Sequence, residues 1–224
     1  MSLPLPELAR ILDAFTACRF RRQPTEVPPE FPRVMRDFHR EFGAWIGPGL
    51  TIGDEQDHLY PTKDLRIVDG HSDFFAENQG NWTCRIALGE DDPEVMSSDE
   101  FHEENDGNGE DVPVVNGRRV IPFRPLDCRL SEILVAYALM GAVHSAPFLV
   151  CCQDSTGIAE ALSLSLLLEQ APTGWHLSRA DISLSADARI LMFETPAYTF
   201  IGCHGGSFRD RLPVRDGYSV VKDG

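Results

Sequence analysis

Residues 73–96 read DFFAENQGNWTCRIALGEDDPEVM. Two apolar-rich runs, residues 73–76 and 82–88, flank the polar knot Glu77-Asn78-Gln79-Gly80-Asn81. Gly and Asn tolerate positive φ, so a knot that holds both between such runs predicts a β-hairpin. In the second run Trp82, Cys84, Ile86 and Leu88 alternate with Thr83, Arg85 and Ala87, the period-two pattern of a strand with one buried face. A central hairpin is the first expectation, and no ordinary catalytic motif lies in it.

Upstream, Leu8, Ile11, Leu12 and Phe15 fall at i, i+3, i+4 and i+7, one apolar stripe on a helix over residues 6–17. The basic cluster Arg19-Phe20-Arg21-Arg22 and the joint Val27-Pro28-Pro29 follow. A second helix is expected from about Glu30, with proline in its first turn and Phe31, Val34, Met35, Phe38 and Phe42 on its apolar face, stopped by Gly43. The pattern then weakens. Residues 50–52 and 65–68 read as short strands and residues 56–61 as a loop.

Downstream, residues 90–111 carry eleven Asp and Glu with no Lys or Arg. Such a run buries little apolar surface and reads as a solvated loop suited to a protein partner. Asp106, Asn108 and Glu110 alternate as calcium donors do, but the EF-hand register with glutamate at position 12 is not met. Asn116-Gly117 between residues 112–115 and 120–123 predicts a second small hairpin. Residues 130–140 read as a well-buried helix, and residues 156–170 as another, with Ile158, Leu162, Leu166 and Leu167 inward and Glu160 and Glu169 outward. Residues 181–184, 189–194 and 198–203 return to strands in a meander, followed by a turn at Gly205-Gly206 and a tail from Leu212.

A chain of 224 residues with 42% hydrophobic and 25% charged content can bury a sizeable core, and one domain over residues 1–224 is expected. Early charges at Glu7, Arg10 and Asp13 argue against a signal peptide, and the longest apolar runs fall short of a membrane span, so a soluble cytoplasmic protein is expected. Its formal charge of −15 argues against nucleic acid or an anionic membrane as partner, and permits a basic protein. The same charge also serves solubility alone.

Six scattered cysteines show no paired CxxC spacing, and His58 and His71 have no second ligand at a recurring distance, so no metal site is expected. Phosphate-cradling glycine loops and the G-x-S-x-G elbow are absent. Cys203-His204 are adjacent, which on a strand sends the side chains to opposite faces. Residues 91 and 92 pair two carboxylates inside a charged loop, where solvated groups are the commoner outcome. An enzyme is not expected.

Phe74-Phe75-Ala76-Glu77-Asn78-Gln79-Gly80, then Trp82, then Glu90-Asp91-Asp92-Pro93-Glu94-Val95, resembles the signature of the SUKH superfamily, whose members include yeast cell-wall regulators and bacterial immunity proteins. The order of parts agrees as well: a Pro-led helix ending in an aromatic and Gly, then the sheet, then a Ser-Glu-bearing helix near Leu130. The resemblance covers residues 28–171, and residues 172–224 carry no part of it. Family members often have a second proline after D-D-P, where this chain has Glu94.

The resemblance implies an α+β fold with a mixed, largely antiparallel sheet and helices packed around it, no cofactor, and a binding role. Its bacterial form implies an immunity protein that neutralises a cognate toxin, often a nuclease. Expected partner contacts are Glu77, Asn78 and Gln79 of the turn with Asp91, Asp92, Glu100, Glu103 and Glu104 of the acidic run. A regulator or scaffold of the same fold with no toxin is the alternative, and a small-molecule enzyme a third.

Overall fold

The computed structural model describes residues 3–16, 24–43, 58–76, 82–99, 114–115, 118–119, 122–172, 179–203, 212 and 219–223. Helix α1 is Leu5–Phe15, and its stripe of Leu8, Ile11, Leu12 and Phe15 is buried. Helix α2 is Arg33–Phe42; it starts after Pro32, three residues later than expected, and ends at Gly43, whose φ of 74° admits glycine most readily. Met35, Phe38 and Phe42 turn inward.

The expected hairpin is present. Strand β2 (His71–Ala76) pairs antiparallel with β3 (Trp82–Ala87), and the buried residues Trp82, Cys84 and Ile86 alternate as read. A register shift between Asp73 and Phe75 makes Phe74 an extra residue, so Phe74 and Phe75 are both buried where strict alternation would expose one. The knot, residues 77–81, lies outside the described residues. Short β1 (His58–Leu59) pairs with β2, within a stretch read as loop. The strand expected over residues 65–68 is reduced to an isolated bridge between Val68 and His71, and residues 50–52 lie outside the described set.

Of the acidic run read as a loop, residues 90–93 form a turn, residues 94–99 a strand, and residues 100–111 lie outside the described residues. Residues Glu94–Asp99 form β4 against β3, because Val95 and Ser97 alternate inward opposite Ile86 and Cys84 and the strand gains a ladder on both edges. Its second neighbour is β7 (Arg124–Arg129), giving a five-stranded sheet in the order β1-β2-β3-β4-β7. The small hairpin pairs β5 (Val114–Val115) with β6 (Arg118–Arg119) across Asn116-Gly117, closer to the turn than expected.

Helix α3 (Leu130–Ser145) follows β7 directly, and 13 of its 16 residues are buried, so it has no polar face. The first sheet meets it through Tyr137, whose ring lies edge-on to Phe75 at 4.8 Å, while Phe75 in turn meets Trp82 at 5.2 Å. Helices α1 and α2 contact it as well. On another side α3 lies on a second sheet, of order β13-β8-β12-β11-β10-β9, comprising β8 (Phe148–Cys152), β9 (Leu164–Pro172), β10 (Arg179–Ser185), β11 (Ile190–Glu194), β12 (Thr199–Cys203) and β13 (Ser219–Asp223). All described pairings are antiparallel, so the expected α+β fold with largely antiparallel strands is present, its strands divided between two larger sheets and the small β5–β6 hairpin.

The expected helix over residues 156–170 is corrected to one turn, α4 (Ile158–Ala161), followed by β9. One core joins α1, α2, α3 and the facing sides of both sheets. A smaller cluster of Val150, Ile158, Leu162, Met192 and Ile201 covers the far side of the second sheet under α4.

Candidate partner-binding site

The turn between β3 and β4 is built by its own acids. Asp92 accepts from the Ser131 backbone N–H and from the Ser131 hydroxyl, one bond to each carboxylate oxygen, both 2.8 Å. The Leu130 N–H donates to the Pro93 carbonyl at 3.0 Å, and Glu132 reaches back to accept from the Arg129 N–H at 2.8 Å. Two otherwise unpaired donors in the first turn of α3, the Leu130 and Ser131 N–H groups, are thus satisfied from the D-D-P turn far away in sequence, and Glu132 satisfies the N–H of the residue that precedes the helix. Asp92 is therefore spent on the fold and is poorly placed to meet a partner.

Asp91 sits differently. Its carboxylate meets Arg33 at 3.1 Å with both side chains more than 60% exposed, while its carbonyl accepts from the Val34 N–H at the start of α2. An ion pair this wet is worth little to stability and leaves the charge open to a partner. Glu90, equally exposed, lies 3.4 Å from Arg129. The turn consequently ties α2 to α3 with its backbone and Asp92, and presents Glu90 and Asp91 outward. Of the expected contacts, Glu77, Asn78, Gln79, Glu100, Glu103 and Glu104 lie outside the described residues; Asp91 and Asp92 share the turn with opposite roles.

On the outward side of the first sheet Asp73 and Arg85 form a half-buried pair at 2.6 Å, and Phe123 stacks on the guanidinium at 3.9 Å. Burial dominates the other titratable groups of note. It pushes the Cys128 thiol up to about 12, an inert sulfur, and the His39 imidazole down to about 4. Cys84, Cys128, Cys151, Cys152 and Cys203 are free thiols. Among the described residues no three His, Cys, Asp or Glu converge as a metal site, and no helix is long and apolar enough to cross a membrane.

One concave feature was not foreseen. A cleft of about 270 Å³ opens at the seam of the two sheets, between the end of β7, the first turns of α3 and the β9 end near Pro172. Its residues come from positions 3 to 179, without a spacing that sequence could reveal. No family model, curated protein or solved structure matches this chain.

Proposed function

We propose that this chain is an immunity protein of SUKH type that binds and neutralises a basic bacterial toxin, such as a nuclease, inside the producing cell. The observation that carries the reading is the convergence of the residues that bear the resemblance: Phe75 and Trp82 pack together, Tyr137 of α3 closes on Phe75, and Asp92 caps that same helix through Ser131. A signature that ties helix to sheet has a physical reason to be retained as a unit. Next to Asp92, Glu90 and Asp91 face solvent, and the acidic sequence continues at Glu100, Glu103 and Glu104.

A nuclease presents Lys and Arg where it grips phosphate. An acidic inhibitor occupies that groove and is steered to it by complementary charge, which acts chiefly on the association rate. The test is a binding measurement between the purified chain and the product of a neighbouring gene carrying a basic C-terminal domain. Tight, salt-sensitive binding that weakens about tenfold or more when Asp91, Glu103 and Glu104 are neutralised together supports the mechanism. Unchanged affinity in that triple variant overturns the acidic-surface mechanism, and a chain that binds no such product fits the regulator reading instead.

A further inference from the structure

The cleft at the seam of the two sheets has a floor of buried Val135 and Ala171 and apolar sides from Leu168 and Pro172. Among the described residues of its lining, Asp127, Glu132 and Glu169 stand around it against one cation, Arg179. That cation is occupied: its Nη2 donates to the Leu126 carbonyl at 2.6 Å and lies 3.4 Å from the Asp127 carbonyl, clamping the second sheet onto the end of β7. Glu132 is held in place by the Arg129 N–H, whereas Asp127 and Glu169 are exposed.

The backbone shapes this opening. In β9, Glu169 and Gln170 together oppose Asp181 of β10, with Gln170 at φ 50° and its N–H donated to the Asp181 carboxylate at 2.8 Å. Two successive residues therefore face outward beside the cleft.

Such a lining repels anions, and among the described residues it offers no cluster for a metal ion. Its volume falls just below the range of roughly 300–1,000 Å³ usual for cofactor and drug-sized ligands. It suits a cation on an aliphatic stem, whose methylenes lie along Leu168 and Pro172 while the charged head meets the carboxylates. We infer that the cleft receives a lysine or arginine side chain of the basic partner, as an anchor separate from the acidic turn. This deepens the proposed function and rests on it.

The probe is N-acetyl-arginine amide, titrated into the full-length, isotope-labelled chain and followed by amide NMR shifts, with N-acetyl-norleucine amide as the uncharged control. Saturable shifts confined to residues 126–128 and 168–172, absent with the control and weakened about tenfold in the Asp127→Asn, Glu169→Gln double variant, are expected. Asn tolerates the φ of 50° at position 127, so that variant keeps the fold, as an unchanged melting temperature will verify. Equal shifts with the uncharged control, or shifts scattered over the acidic surface, overturn the inference. A chain that binds the arginine amide at the cleft yet no basic protein keeps the cation site and overturns the functional reading. Binding of a basic partner that is indifferent to Glu169→Arg overturns the anchor.

Discussion

At the scale of single residues, Asp91 and Asp92 are adjacent carboxylates with different duties. Asp92 replaces lost water with a backbone N–H and a hydroxyl on the same residue, Ser131, whereas Asp91 meets one exposed arginine. Asp92→Ala is expected to lower unfolding free energy by about 1–3 kcal/mol, and Asp91→Ala by less than about 0.5 kcal/mol. Urea denaturation of the two variants checks this, and equal losses would remove the distinction. His39 is fully buried; its Nδ1 lies 3.2 Å from the Thr25 hydroxyl and its Nε2 has no partner among the described residues. Burial holds its pKa at about 4 against 6.5 when unfolded, so between those values the unfolded chain binds a proton that the folded chain does not. Stability therefore falls as pH drops from about 6.5 to about 4, by up to about 3 kcal/mol from this group, and levels below that. His39→Leu should flatten this part of the profile in denaturant melts across the window; an unaltered slope would assign it to other groups.

At the scale of elements, the approach of β12 to α3 is set by Gly202. A Cβ there would stand 2.7 Å from the Val143 carbonyl oxygen and 3.0 Å from the Ala146 Cβ, and neither helix backbone nor an alanine can swing away. Gly202→Ala should cost about 1–3 kcal/mol in chemical denaturation, and a neutral result would mean that the helix slides freely on the sheet. The same scale explains what the sequence revealed. Helices α1 and α2 and strand β3 were legible because each repeats its apolar residues at a constant local period, and β2 and the strands of the C-terminal meander because short apolar runs stand between turn residues. Strand β9 was not. Register shifts opposite Ile182 place nine residues against seven, so Leu167 and Leu168 both pack on the main core while Leu166 is 55% exposed. That broken alternation imitates helical spacing, and only pairing with the distant β10 decides the outcome. Strand β4 was hidden for a related reason: its acids obscured the inward alternation of Val95 and Ser97. Of the expected contacts, the sequence showed the charge but not which carboxylate the fold consumes, since Ser131 is far from Asp92 along the chain.

For the whole molecule, a formal charge of −15 makes two salt effects run in opposite directions. Raising ionic strength from about 0.01 to about 0.15 M shortens the screening length from about 30 to about 8 Å, which relieves repulsion within the folded chain and weakens steering of a cationic partner. The melting temperature should therefore rise over the range in which partner affinity falls, measured by thermal melts and binding in matched buffers. A melting temperature that drops with salt would show that attractive surface pairs such as Arg40 with Asp37 outweigh the net repulsion. Helix α3 adds a constraint on how the chain comes into being. Its last residue, Ser145, precedes every strand of the second sheet, so during synthesis the most apolar segment leaves the ribosome with only half of its cover made. Until residues 148–203 arrive, the nascent chain carries an oily flank in need of shelter, and the pace of translation through those strands governs how long it stays bare.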